Sequence, residues 1–314
     1  MGSKMGEWSR RIGEHGESVV AELFEMIGWA DAQRNVTLPC VQGQRHGCGE
    51  SERRTHGIDS FFSYHSSLVD RTLDHLVVSV KYSSTPYPAS PNTKFKEHFF
   101  DLAMTLECFR RSSLRSTAGK QFSGVGNARN IGVLFWLTND RNNQDILHKV
   151  ASVRKVDEYS YETIFVVDDF RASFLFDSIH YIRTKYSADC VEFLYQSTGR
   201  NINPATRETA GKILPIEFVN SPIIPFRIQK NDGGKILSLT CIETFHPDRL
   251  RRLIGLAQNI TQDFAEGTII LFPDYDQLHH ENQVKEAKAG FEDKGFTDSV
   301  RVGAFRTGFR ELEQ

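Results

Sequence analysis

At 314 residues, with 39% apolar and 25% charged side chains, the chain has the composition of a soluble globular protein with room for two domains. No apolar run approaches the roughly 20 residues a membrane helix needs, and the opening Met1–Trp8 stretch has no apolar signal segment. The net charge of −2 excludes a uniformly basic nucleic-acid coat. Residues 1–155 nevertheless hold 20 Lys+Arg against 16 Asp+Glu, and residues 156–314 hold 18 against 24, so the first half alone is suited to a phosphate-bearing partner.

Five scattered cysteines (Cys40, Cys48, Cys108, Cys190, Cys241) suit a reducing cytoplasm better than a disulfide scaffold. The stretch from Gly13 to Trp29 carries Val19, Val20, Leu23, Phe24 and Ile27 at helical spacing. Gly28 follows as a C-terminal stop. Glu17 sits in the first turn at the edge of that stripe. It reads either as a dipole partner of the helix N-terminus or as an inward carboxylate. An early strand is predicted at Asn35–Leu38.

The stretch His56–Lys81 organises the chain. Asp59 stands in an apolar segment with Ile58, Phe61 and Phe62, and Lys81 closes the β-branched run Val77, Val78, Val80. An acid and a lysine on neighbouring strands can hold a divalent metal and orient a water beside it; the same residues also suit an ordinary hairpin. Between helix and strands, Cys40, His46, Cys48 and His56 invite a zinc reading. No Cys-x-x-Cys pair is present and the spacings match no standard knuckle, so the segment reads as a polar, Gly-rich loop near the site. His56 is placed to meet a phosphate or order Asp59, or simply precedes the turn at Gly57.

After the Pro/Ser loop 82–91, a helix is predicted from Asn92 or Thr93 to about Arg115, with Phe95, Phe99, Leu102, Ala103, Leu106 and Phe109 on its buried face. Arg110, Arg111 and Arg115 at its end, with Lys120, are either dipole partners or phosphate-backbone contacts. A strand follows at Ile131–Leu137.

Gly13-x-x-x-Glu17, Gly28-Trp29, Asp59 and Val80-Lys81, in this order, resemble the PD-(D/E)xK nuclease superfamily, nearest its Holliday-junction-resolvase and Mrr-like restriction branches, over about residues 10–137. The resemblance implies an αβββαβ restriction-endonuclease-like core. It also implies a site in which Asp59, Glu17 and the Val80 carbonyl hold Mg²⁺ (Mn²⁺ substituting) and Lys81 positions the attacking water. DNA is the implied substrate, with RNA left open by the residue types, and the implied products carry a 5′-phosphate. Ser79 stands where the family carries an acid. It enters as a candidate site residue and leaves open an inactive, binding-only descendant.

In the second half, Thr163–Asp169, Cys190–Tyr195, Ile213–Val219, Lys235–Thr240, Gly267–Pro273 and Val300–Phe305 read as strands. Arg249–Phe264 and Glu281–Lys294 read as helices. The alternation predicts an α/β class with a largely parallel second sheet. Acids at strand ends (Asp168, Asp169, Asp274, Asp276) allow a nucleotide-sensing reading, although no glycine-rich phosphate motif accompanies them. The expected organisation is a nuclease-like domain at 1–155 and an α/β partner-binding or regulatory domain at 156–314. The expected setting is cytoplasmic antiphage defence, as a homo-oligomer or with a partner subunit.

Overall fold

The first apolar stripe forms a long helix, α1 (Gly2–Ile27). Val20, Leu23, Phe24 and Ile27 are buried while Val19 is 41% exposed. The face that packs is therefore i, i+3, i+4, i+7, and Val19 falls outside the expected stripe. The helix stops at Gly28, whose φ of 79° suits only a residue without a Cβ; the Trp29 N–H closes the end on the Phe24 carbonyl at 2.9 Å. The computed structural model describes residues 2–47, 51–140, 144–261 and 264–306. Cys48 lies outside the described residues.

The chain continues through β1 (Gln33–Pro39), the short α2 (Gly43–His46), β2 (Thr55–His65), β3 (Thr72–Ser83), α3 (Asn92–Phe109), α4 (Ser113–Gly119), β4 (Asn127–Thr138), α5 (Leu147–Val150) and β5 (Thr163–Val167). Among the described residues these five strands form one sheet in the order β1-β2-β3-β4-β5. The β1–β2 and β2–β3 pairs are antiparallel, and β3–β4 and β4–β5 are parallel. The αβββαβ order is thus present, with one further strand at its edge.

α1 packs on β3, and Phe24 meets Phe135 with centroids 5.8 Å apart. Leu102, Leu106 and Phe109 of α3 join Ile58, Phe61, Val77 and Leu134 in a buried cluster. The helix expected to run to Arg115 ends at Phe109. Ser112 then caps a separate α4 by accepting from the Arg115 N–H at 3.1 Å.

The boundary expected after residue 155 falls elsewhere. β5 hydrogen-bonds in register with β4, and the compact units are Met1–Ser173 and Phe174–Gln314. Periodicity identifies the strand correctly but carries no information on which sheet will receive it.

The remaining elements are α6 (Asp169–Tyr186), β6 (Val191–Leu194), β7 (Ala210–Gly211), α7 (Ile216–Val219), β8 (Ile223–Gln229), β9 (Lys235–Cys241), α8 (Pro247–Thr261), β10 (Gly267–Phe272), α9 (Gln277–Ala289), α10 (Lys294–Ser299) and β11 (Val300–Ala304). The second sheet runs β11-β10-β9-β8-β6-β7. It is parallel across β11, β10 and β9 and antiparallel from β9 to β7, so it is mixed rather than largely parallel. The strand expected at Ile213–Val219 is instead a loop and α7, and β8 takes the place beside β9. Leu250, Leu253, Ile254 and Ala257 of α8 pack with Leu237, Leu239, Ile270 and Phe272.

Candidate active site

Asp59 sits where β2 breaks its alternation. Ile58 and Phe61 both enter the cluster under α3, yet they are three residues apart, and strict two-residue alternation would place them on opposite faces. Register with β1 is nevertheless the same on either side of this point, so no extra residue is inserted and the change of face is a local twist of the strand at Asp59. On β1, Arg34 pairs with Ser60 and Val36 with Ile58, leaving Asn35 out of the ladder. Asn35 adopts a φ of 53°, a left-handed conformation that Asn tolerates better than most residues. On the other side, the ordered β2–β3 pairing ends at Ser60 with Val78. The Asp59 carboxylate takes over there, accepting the Val80 N–H at 2.6 Å.

Burial pushes the Asp59 carboxyl above its ordinary range against the Val80 N–H, the Lys81 charge and the Ser79 side chain, all of which favour ionisation; Asp101 adds to the rise. Glu17 is also raised, first by burial, then by the charges of Asp59 and Glu14, while a hydrogen bond from Asn35 opposes the shift. Glu17 and Asp59 thus lie within electrostatic reach of each other. What lets α1 approach is Gly16: a Cβ there would lie 2.3 Å from the Tyr82 Cβ on β3.

The Lys81 ammonium donates to Asp101 Oδ2 of α3 at 3.0 Å, and Arg53 reaches the other Asp101 oxygen at 2.8 Å. Burial works to raise the Asp101 carboxyl, but these two cations outweigh it and hold it below the usual range. Asp101, Arg53 and Asn35 are the residues that sequence reasoning missed. Asp101 faces Lys81 one turn before Thr105, and its only sequence signal is an acid set among the apolar residues Phe99, Phe100, Leu102 and Ala103 in the middle of α3.

The other expected residues separate. His56 has no exposed surface, which corrects its placement at a phosphate: its ring is turned into the interior among Cys40, His46 and Cys108. Arg115 donates to Asn130 Oδ1 at 2.7 Å. Asn130 pairs with His75, six residues before Lys81 on β3, so this arginine sits about 20 Å along the strand from Lys81. Arg110 donates to the Ser160 hydroxyl at 2.7 Å, and Arg111 and Lys120 are exposed.

The strand-end acids are engaged in holding backbone. Asp168 accepts from the N–H groups of Ile146, Leu147 and Arg171, and Asp169 from the Thr138 N–H and hydroxyl. In the second unit, Asp274 accepts from the Phe245 N–H and Asp276 caps α9. The nucleotide-sensing reading loses its donors to these bonds.

The family model described as the GAPS4 protein PD-(D/E)XK nuclease domain matches residues 5–171, more than half of the chain. This chain belongs to that family. No curated protein and no solved structure matches it. The GAPS4-type nuclease domain covers α1 through the start of α6, including β5, so Glu17, Asp59, Ser79, Val80, Lys81 and Asp101 all fall within it. PD-(D/E)XK domains are nuclease domains that generally use divalent metal ions, and a nucleic acid is the implied substrate. No helix among the described residues is long and apolar enough to cross a membrane.

Proposed function

We propose that the first unit is a metal-dependent endonuclease acting on DNA in bacterial antiphage defence, with the second unit serving a regulatory or partner subunit. The observation that carries this reading is the meeting of Asp59 with Glu17 on one side and the Val80–Lys81 segment on the other.

The donor set fits a hard divalent cation. Two carboxylates held above their ordinary range, one raising the other, form a concentration of negative charge that Mg²⁺ or Mn²⁺ relieves, and oxygen donors suit both ions. Asp59, Glu17 and the Val80 carbonyl would hold the ion. Bound there, the metal would polarise a phosphoryl oxygen and lower the pKa of an adjacent water. Lys81 orients the attacking water and offsets negative charge developing on the phosphate. Ser79 contributes its hydrogen bond to Asp59 in place of the carboxylate usual at that position, so this residue positions the acid rather than ligating. Asp101 supplies the missing negative charge from α3, at Lys81. Hydrolysis leaves a 5′-phosphate. Arg110, Arg111, Arg115 and Lys120 contact backbone outside the scissile step.

A second reading, a non-cutting nucleic-acid or partner-binding module, rests on the same two features: Ser79, and a Lys81 committed to Asp101. Supercoiled plasmid and linear duplex incubated with Mg²⁺, Mn²⁺ or EDTA decide between them. Metal-dependent cutting that disappears in Asp59→Ala and Lys81→Ala supports the enzyme, and cutting that survives Asp59→Ala overturns the site. Wild type that stays inert in both metals and with host lysate supports the binding module.

A further inference from the structure

Four elements bring nitrogen and sulfur donors to one buried point. Cys40 follows β1, His46 ends α2, His56 opens β2 and Cys108 lies in the last turn of α3. His46, His56 and Cys108 are at most 3% exposed, and their ligand atoms together with Cys40 Sγ lie within 4.8 Å of one another. Four edges of this tetrahedron are Cys40 Sγ to His46 Nδ1 at 3.4 Å, Cys108 Sγ to His46 Nδ1 at 3.5 Å, His46 Nδ1 to His56 Nε2 at 3.3 Å and Sγ to Sγ at 3.9 Å. Tetrahedral Zn²⁺, with Zn–S of about 2.3 Å and Zn–N of about 2.0–2.1 Å, requires edges of about 3.8 Å between sulfurs, 3.3–3.4 Å between nitrogens and 3.5–3.6 Å between the two kinds. These four edges agree to within about 0.2 Å.

The hydrogen bonds around the rings fix their tautomers. The Thr105 hydroxyl donates to the Asp101 carbonyl at 2.8 Å, so toward His56 Nδ1, 3.3 Å away, it can only accept. His56 therefore carries its proton on Nδ1 and leaves Nε2 bare. His46 Nε2 lies 2.9 Å from the Glu107 carboxylate, which only accepts while ionised, as Arg45 at 2.9 Å ensures. His46 then leaves Nδ1 bare. Two lone pairs face each other at 3.3 Å in a buried place, with two thiols beside them, an arrangement that a bound cation relieves. Carboxylate and hydroxyl partners on the far ring nitrogens are how metal-bound histidines are oriented.

We propose that Cys40, His46, His56 and Cys108 bind one structural Zn²⁺. Two thiolates neutralise the ion, so the buried site carries no net charge, and all four ligands come from protein, leaving no open position for catalysis. The ion ties the end of β1, α2, the start of β2 and α3 together. His56 lies three residues, or about 10 Å, from Asp59 along β2. Through Thr105 it also touches the turn of α3 that presents Asp101 to Lys81. The zinc thus sets the spacing between the strand and the helix that build the candidate active site. Gly43 belongs to this fold-over, since a Cβ there would meet the Arg53 carbonyl at 2.9 Å.

The test is metal analysis of the full chain, purified reduced and without a metal-affinity tag. About one zinc per chain is expected, together with tetrahedral Co²⁺ absorption and sulfur-to-cobalt charge transfer after exchange. Cys108→Ser should lose the zinc and the charge-transfer intensity in large part, whereas Cys190→Ser and Asp59→Asn should keep both. The last variant separates this ion from any ion at the carboxylates. Should Cys108→Ser fail to fold, mercurial titration of wild type reads the same point: zinc release should track modification of two thiols. Reduced wild type that purifies without zinc and takes up Co²⁺ only in an octahedral, thiolate-free form overturns the proposal, as does zinc that survives blocking of every thiol.

Discussion

Lys81 on β3 and Asp101 on α3 are joined by a 3.0 Å ion pair in which Arg53 also shares. Both side chains are about one-third exposed, 29% and 35%, so solvent screens the pair and its stabilising effect is at most about 1 kcal/mol. Its importance is positional. Asp101→Asn should leave stability within about 1 kcal/mol of wild type yet slow metal-dependent nicking by roughly tenfold, because Lys81 loses its anchor. Lys81→Ala should cost about a hundredfold or more. Nicking rates and urea denaturation on the same preparations check both; an Asp101→Asn enzyme that cuts at the wild-type rate removes Asp101 from the site.

Gly16→Ala sets two effects against each other. Alanine gains about 1 kcal/mol of helix propensity over glycine, but its Cβ would lie 2.3 Å from the Tyr82 Cβ. That atom cannot rotate away, so α1 must lift from β3. Overpacking of this kind costs about 1–3 kcal/mol, and Glu17 moves with the helix. The expected result is a net loss of stability in chemical denaturation and a raised Mg²⁺ requirement for cutting. An unchanged requirement would mean that Glu17 does not share the ion.

His75 gives a pH signature away from any proposed metal. It is buried, with Nδ1 2.8 Å from the Ser63 hydroxyl; burial, then the Arg115 charge, lowers its pKa to about 4. The neutral ring contributes fully above the unfolded value near 6.5. Below that, the unfolded chain takes up the proton first, and stability drains away as pH falls toward 4. By pH 5 the loss amounts to about 2 kcal/mol. His75→Phe gives up the Ser63 bond, about 1 kcal/mol, but does not titrate. The variant should be less stable than wild type at pH 7 and more stable at pH 5. Parallel stability curves at the two pH values would contradict this.

Asp74 is fully buried, and Arg129 clasps it with Nε and Nη2, both at 2.6 Å. Arg129→Met removes the cation held against that buried carboxylate and should cost about 3–5 kcal/mol. Replacing both, as Asp74→Leu with Arg129→Met, should recover a large part of the loss, since the desolvated charge is gone. Urea midpoints of the single and double variants measure it.

Local pattern was enough for several features of this chain. The end of α1 at Gly28, the Asp59 segment, the run closing at Lys81 and the apolar face of α3 could all be read from residues a few positions apart, because helix and strand periodicity and glycine's freedom at positive φ act over that range. The family resemblance rested on the same short signals. Other features depended on segments far apart in sequence. The twist at Asp59 lies opposite Asn35 of another strand, the partner of Lys81 is Asp101, and β5 joins the first sheet across the expected boundary. The Cys40–His46–His56 group, read from spacing as a polar loop, is completed by Cys108, 68 residues beyond Cys40. Hydrophobic periodicity specifies which face of an element is buried, but which neighbour covers that face is chosen by packing of the whole core. Only that packing brings the fourth ligand to the other three.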